Sequence, residues 1–402
     1  MKRRAFLAAT SAALAGPAVA RAQTPRVVLG DDVFVRETWR ELGGRSVGIV
    51  TNQSGVLSNG VALVDAVHAN PAIRVRALFG PEHGIRGVAG AGETVGSSVD
   101  ARTGLPVHSL YGPTRHPTKA MLDGIDVLLF DIQDVGARPY TYVSTMAYVM
   151  ESAAQYGKDI WVLDRPNPIG GVAIDGPVLE PKYKSFIGLY PIPERHGMTV
   201  GELARMFNDH FGIGCRLRVI PMQGWDRTML WPQTGLRWIP TSPNMPYPLT
   251  TLVYLATGLV DEGGVNNGVG TDRPFEYAGG YGFDPERYAA YLNARGILGV
   301  HFEPQTWAPR TGFWAGKTLA GVYLNVTEPT AFANVRTAVE LLAAARAQGK
   351  FQAQHPERMD RDWGTAKVRL GLESGASPEA IVAEWAPGLR AFESVRKQYL
   401  LY

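Results

Sequence analysis

The run "IDVLLFDIQD", Ile125 to Asp134, decides the fold. Between Val127 and Phe130 every residue is large and apolar, so the strict alternation of a half-exposed strand is missing. A short apolar run that ends on an acid predicts a strand buried on both faces, the kind found in parallel sheets covered by helices on each side. The same texture recurs in "SVGIVT" (46–51), "VRALFG" (75–80), "IWVLD" (160–164) and "LRVIPM" (217–222).

Between these runs lie helix-like segments: "GVALVDAVHAN" (60–70), "STMAYVMESAAQYG" (144–157) and "TVGELARMFNDHFG" (199–212). In the last, Thr199 and Glu202 have the spacing of a capping box, a structural role. Strand and helix in alternation predict an α/β fold built on a parallel sheet. The Pro- and aromatic-rich "WPQTGLRWIPTSPNMPYPLTT" (231–251) reads as a loop that ends this domain near residue 248. Beyond it, segments such as "VHFEP" (300–304), "TLAGVYLNV" (318–326) and "AFANVRTAVELLAAARAQG" (331–349) mix strands and helices with no regular rhythm. A smaller α+β auxiliary domain over 249–402 is the expectation.

Composition narrows the function classes. The chain has 402 residues, 45% hydrophobic and 19% charged, which is globular material with room for two domains. Its start, "MKRRAFLAATSAALAGPAVARA", reads as a twin-arginine export signal over 1–22: Arg3-Arg4, a short apolar stretch, then small residues at Ala20 and Ala22. That stretch is too short for the ~20 residues of a bilayer span, so no stable membrane insertion is expected. Removing it takes away Lys2, Arg3, Arg4 and Arg21 and no acid, and the net charge moves from +3 to −1. Nucleic acid is therefore not an expected partner, and the expected location is periplasmic or secreted. Cys215 is the sole cysteine and reads as a small buried hydrophobe, so no disulfide supports the fold.

Ligands of open parallel sheets bind where the strands end. Polar residues gather at those ends here. The first run delivers Asn52 and Gln53; "RVRALFG" delivers Glu82, His83 and Arg86; "VLLFD" delivers Asp131, Gln133, Asp134, Arg138, Tyr140 and Tyr142; "IWVLD" delivers Asp164, Arg165 and Asn167. Each group has a structural alternative, such as turn hydrogen bonds for Asn52 and Gln53 or a buried ion-pair network for Asp131, Asp134 and Arg138. Asp164 and Arg165 equally suit a loop-fixing pair. Glu82 stands apart in "LFGPEHGIRG" (78–87): a carboxyl after an apolar strand, beside His83 and among glycines, is suited to proton delivery. His83 either tunes that acid or holds its loop.

Other chemistries lack motifs. No G-x-G-x-x-G follows the first strand, and neither a P-loop nor a G-x-S-x-G elbow occurs, so no cofactor is expected. No His-rich ligand spacing supports a metal site.

Taken together, "GIVTNQSGV", "ALFGPEHGIRG", "TGLPVHSLYG", "DVLLFDIQDVGARPYTY", "VLDRPNPIGG", "PIPERHGMTVGELA", "PTSPNMP", "GTDRPFE" and "RKQYLLY" resemble the NamZ-type exo-β-N-acetylmuramidases from about residue 27 to 402. The resemblance implies a Rossmann-like catalytic domain over 27–248, an active site in the cleft to the auxiliary domain, and release of N-acetylmuramic acid from the non-reducing end of peptidoglycan fragments. The expected partners are thus muramyl saccharides. It implies Glu82 as the acid, and it adds Arg195, His196 and Asn244 to the residues lining the sugar site. Asp131, Asp134 and Asp164 are the candidates for the second catalytic group, and Arg86, Arg138 and Arg195 for holding the lactyl carboxylate. The chain departs from the family in "DEGGVNNGVGT" (261–271), where Asn267 and Val269 replace an acid and an arginine. That departure keeps a non-catalytic muropeptide-binding protein in view, with a metal-dependent hydrolase as a third reading.

Overall fold

The computed structural model describes residues 27–87, 96–312 and 314–402. The export signal expected at 1–22 lies outside them. The strands of the first region are β1 (Ser46–Thr51), β2 (Arg74–Gly80), β3 (Ser98–Val99), β4 (Pro106–Ser109), β5 (Val127–Asp131), β6 (Asp159–Leu163), β7 (Asp175–Val178), β8 (Pro193–Arg195) and β9 (Arg216–Ile220). Seven of them form one sheet in the order β3-β4-β2-β1-β5-β6-β9, in which only the β3–β4 pairing is antiparallel. With β3 set aside, the parallel strands stand third, second, first, fourth, fifth, sixth. That is the order of a Rossmann sheet, whose ligand crevice opens between the first and fourth strands. Here those strands are β1 and β5, and their last residues, Thr51 and Asp131, are paired.

The apolar runs are buried on both faces, as their sequence predicts. Leu128 and Phe130 point into a core shared with α3 (Thr141–Gln155) and α4 (Val200–Asp209). Val127 and Leu129 point the opposite way, toward α1 (Gly30–Arg36) and α2 (Leu63–His68). Each such side chain contributes roughly 1.5–3 kcal/mol by leaving water. The capping box forms: Thr199 Oγ1 accepts from the Glu202 amide at 3.3 Å, and Glu202 Oε2 accepts from the Thr199 amide at 3.0 Å. Cys215 is buried, and burial pushes its thiol up to about 12, which fits an inert hydrophobe.

The segment read as a loop carries one short helix, α5 (Trp231–Thr234), and then α6 (Pro248–Thr257) opens the second region. There follow β10 (Tyr277–Gly280), α7 (Pro285–Ala294), β11 (Val300–Trp307), β12 (Leu319–Val326), α8 (Asn334–Ala347), α9 (Pro356–Asp362), α10 (Lys367–Ser374), α11 (Pro378–Ala383) and α12 (Ala386–Arg396). Its sheet is antiparallel, in the order β10-β12-β11. The apolar core of this region also takes in Val135, Ala137, Ile169 and Met245 from the first, so the two are packed against each other. The chain's end then returns: Phe392 and Tyr399 enter the core beside α3 and α4.

Candidate active site

Glu82 stands in the turn that follows β2, half-buried, at the start of α3. Thr141, the first residue of that helix, donates from Oγ1 to Glu82 Oε2 at 2.7 Å. The next residue, His83, is buried and has φ of 71°, a left-handed backbone that non-glycine residues rarely adopt. Such a conformation carries strain and turns the chain sharply between the strand and Arg86. Four tyrosines feel the charge of this carboxyl. Tyr111, at the end of β4, is raised by burial and by the charge and hydrogen bond of Glu82. Tyr140, Tyr142 and Tyr254 are raised first by burial, with the charge of Glu82 adding to each. Tyr254 belongs to α6, so both regions of the chain face this acid.

Asp134 shares that neighbourhood, since its charge acts on the same Tyr140 hydroxyl. It is 5% exposed; Oδ2 accepts from the Gly136 amide at 2.7 Å, and buried Oδ1 has no hydrogen-bond partner. His196 is fully buried with Nε2 3.7 Å from Asp134 Oδ2. Its Nδ1 accepts from the Met198 amide at 3.2 Å, which leaves the ring proton on Nε2, facing Asp134.

The other two candidate aspartates are committed elsewhere. Arg165 bridges Asp131 (2.6 Å) and Asp31 (2.5 Å), with all three side chains at 2% exposure or less. Burial raises Asp131 and Asp31, and Arg165 opposes that rise. Asp164 accepts from Thr199 Oγ1, the Gly201 amide, the Tyr402 hydroxyl and the Arg165 amide, all within 2.9 Å. Burial still lifts it to about 6. Both residues are thus taken up structurally, but not with the partners expected: Asp131 pairs with Arg165 instead of joining Asp134 and Arg138, and Asp164 meets Arg165 only through its backbone amide. Gly30 is required here, because a Cβ on it would lie 2.3 Å from the Asp164 amide nitrogen.

The amides at the sheet edge anchor loops. Gln53 Nε2 donates to the carbonyls of Pro240 (3.0 Å) and Thr241 (2.8 Å), and Gln133 Nε2 to those of Asp134 and Pro166, both at 2.8 Å. Asn167 Nδ2 donates to the Met198 carbonyl at 3.0 Å. Asn52 Oδ1 accepts from Ser54, while its buried Nδ2 has no partner.

Each of the three arginines expected to hold a substrate carboxylate has a partner within the protein. Arg86 is bound by Asp100 at 3.1 and 2.9 Å and by Asp65 at 3.3 Å. Arg138 is buried against Glu194 and the Asp362 carbonyl. Arg195 donates to the Ile169 carbonyl at 2.8 Å. Arg138 keeps Nε and Nη1, and Arg195 keeps Nε, buried without a hydrogen-bond partner.

Sequence reasoning missed part of the site. Thr241 accepts from the Tyr142 hydroxyl through its carbonyl at 2.6 Å and bonds Tyr140 through Oγ1 at 2.6 Å. It lies in the stretch taken for a linker, where Asn244 is also half-buried. Tyr111 and Thr141 follow a strand and open a helix, positions where a polar residue is the signal to look for. Asn267 and Val269 line a cavity of about 300 Å³ in the second region, together with Asp261, Trp314, His355 and Arg358. Among the described residues no group of three or more His, Cys, Asp or Glu side chains is placed to hold a metal ion. Nor is any described helix long and apolar enough to cross a membrane.

A carboxyl held at a strand end by a threonine hydroxyl, with tyrosines close by, suits the proton delivery that glycoside hydrolysis requires. Comparison with known proteins identifies the family: the chain belongs to the exo-β-N-acetylmuramidase NamZ family, matching its N-terminal domain over residues 47–248 and its C-terminal domain over 252–402. It is 42% identical over 383 residues to the peptidoglycan β-N-acetylmuramidase NamZ of Bacillus subtilis, covering 95% of this chain and 92% of that protein. Two crystal structures of DUF1343 family proteins from Bacteroides fragilis share its fold. One has a TM-score of 0.89 at 35% identity, covering 94% of this chain and all of the other; the second has 0.74 at 31%, covering 94% and 99%.

Proposed function

We propose that the protein removes N-acetylmuramic acid from the non-reducing end of peptidoglycan fragments, with Glu82 as general acid. The observation that carries this reading is the setting of Glu82: a carboxyl held by Thr141 at 2.7 Å, with tyrosines from both regions close by, in a chain of the muramidase family. Protonation of the leaving oxygen is the first requirement of glycoside hydrolysis, and a second carboxyl must meet the charge that develops on the sugar. Asp134 takes that role. Of the three candidates it alone combines a partnerless buried oxygen with closeness to the tyrosine that Glu82 also contacts electrostatically. The Gly136 amide fixes its other oxygen, and His196 Nε2 lies 3.7 Å from it. Asn52, His83 and Asn244 belong to the rim of the same site.

The twin-arginine signal over 1–22 delivers the protein to the periplasm or beyond, where its substrate lies; the support is the Arg3-Arg4 pair ahead of a short apolar stretch. The test of the function is Glu82→Gln. This variant keeps the fold and the binding of N-acetylmuramic acid but does not hydrolyse a chromogenic β-muramyl glycoside. Turnover at the wild-type rate overturns the assignment.

A further inference from the structure

We propose that Arg115 recognises a carboxylate of the substrate, in an aromatic recess that adjoins Glu82; this rests on the muramyl reading above. N-acetylmuramic acid differs from N-acetylglucosamine by a lactyl ether, which carries either a free carboxylate or, once amidated, a peptide stem with carboxylates of its own. Selecting that group calls for a cation with free N–H donors near the acid. Arg86, Arg138 and Arg165 are each held by internal carboxylates, and Arg195 is buried and donates to the Ile169 carbonyl.

Arg115 differs. Among the described residues it makes no ion pair and no hydrogen bond, and its guanidinium carbon lies 3.9 Å from the ring centre of Phe186 and 5.5 Å from that of Tyr111. The nearest acid on the adjoining helix is already engaged, since Glu151 pairs with His116 at 2.9 Å and accepts from the Tyr190 hydroxyl at 3.0 Å. Tyr148 stacks on Phe186 with ring centres 5.8 Å apart and completes the recess.

The link to chemistry is Tyr111. Its hydroxyl bonds Glu82, while its ring carries Arg115. The proposed acid and the exposed cation therefore both contact one phenol. A guanidinium held against aromatic rings keeps its N–H groups available to grip a carboxylate with two parallel bonds. That contact also holds the side chain still, so less rotamer entropy is lost on binding. The aromatic faces offer an apolar surface for the C–H face of a sugar.

The experiment compares wild type, Arg115→Gln and Arg115→Lys on a 4-nitrophenyl β-muramyl glycoside, its lactyl methyl ester and its dipeptide conjugate. Arg115→Gln is expected to raise KM for the free acid by about 10- to 100-fold, the worth of a charge-assisted bond, with a smaller change in kcat. The wild type loses the same factor on the ester, and the variant treats acid and ester alike. Arg115→Lys recovers part of the affinity. A KM penalty confined to the dipeptide conjugate assigns Arg115 to the stem's carboxylates. Equal losses on acid and ester overturn the proposal. If wild type hydrolyses none of these glycosides, the muramidase reading has failed; calorimetric binding of free N-acetylmuramic acid then decides, with loss in Arg115→Gln supporting the inference and unchanged affinity ending it.

Discussion

The ends of β2 and β4 carry the same kinds of residue as the ends of β1, β5 and β6, yet the two groups have opposite fates. Beside the switch point, Asp31, Asp131, Asp164 and Arg165 bond one another and the backbone until little valence remains. At β2 and β4, Glu82 is met by hydroxyls and Arg115 by aromatic rings. A buried charge must be neutralised to be tolerated, and neutralisation by the protein's own groups removes it from chemistry. The Rossmann crevice thus serves as a brace, and the proposed acid stands on its flank.

Substitutions on either side sharpen that contrast. The largest expected effect is on Glu82→Gln, which should lower kcat by about 10²- to 10⁴-fold, the usual worth of a general acid, while thermal melting stays at the wild-type temperature. Arg165→Met should do the reverse. It strands Asp31 and Asp131 in the core and should cost ~3–5 kcal/mol in denaturant unfolding, as for a broken buried ion pair. A stable Arg165→Met protein that has lost only activity would erase the distinction between brace and site. Asp134→Asn is expected in between, with kcat down about 10- to 100-fold and stability lowered by the loss of a charged acceptor for the Gly136 amide.

Much of this was legible in the chain. Val127 to Phe130 could only be a strand buried twice, and the structure sends alternate residues to opposite cores. The concentration of polar groups at strand ends drew attention to the edge of the sheet where Glu82 and Asp134 stand. What could not be read was the allocation of partners: Arg165 and Arg115 are both arginines after a strand, and only the fold shows that one meets two carboxylates and the other two rings. β10 escaped notice for a local reason. Gly279 and Gly280 have no strand propensity, yet they are needed there, since a Cβ on Gly279 would lie 2.2 Å from the Ala320 carbonyl oxygen of β12. Thr241 was hidden because a Pro-rich stretch gives no periodicity, although it is pinned by Gln53 and two tyrosines.

The smallest expected effect compares a strained acid on each side of the junction. Asp362, at the end of α9, is raised to about 7 by burial and then by the charges of Asp261 and Glu262, against an ordinary value of 3.8. A carboxyl whose folded pKa exceeds its unfolded one holds its proton more tightly in the native state. Its ionisation therefore costs stability, a cost absent below pH 3.8 and complete once pH has risen through about 7. Asp362→Asn removes the ionisation, so it should flatten the fall of Tm between pH 5 and pH 8 and raise Tm at pH 8 by about 2–4 °C. Asp164 is raised as well, to about 6, and burial is again the main cause. It differs in what it holds: four donors converge on it, and an amide there would turn its own N–H toward Thr199, Gly201 or Tyr402. Asp164→Asn should lower Tm at every pH where Asp362→Asn raises it. If the two variants behave alike, burial alone sets the stability of these acids, and the saturated hydrogen bonding that separates brace from site has no energetic consequence.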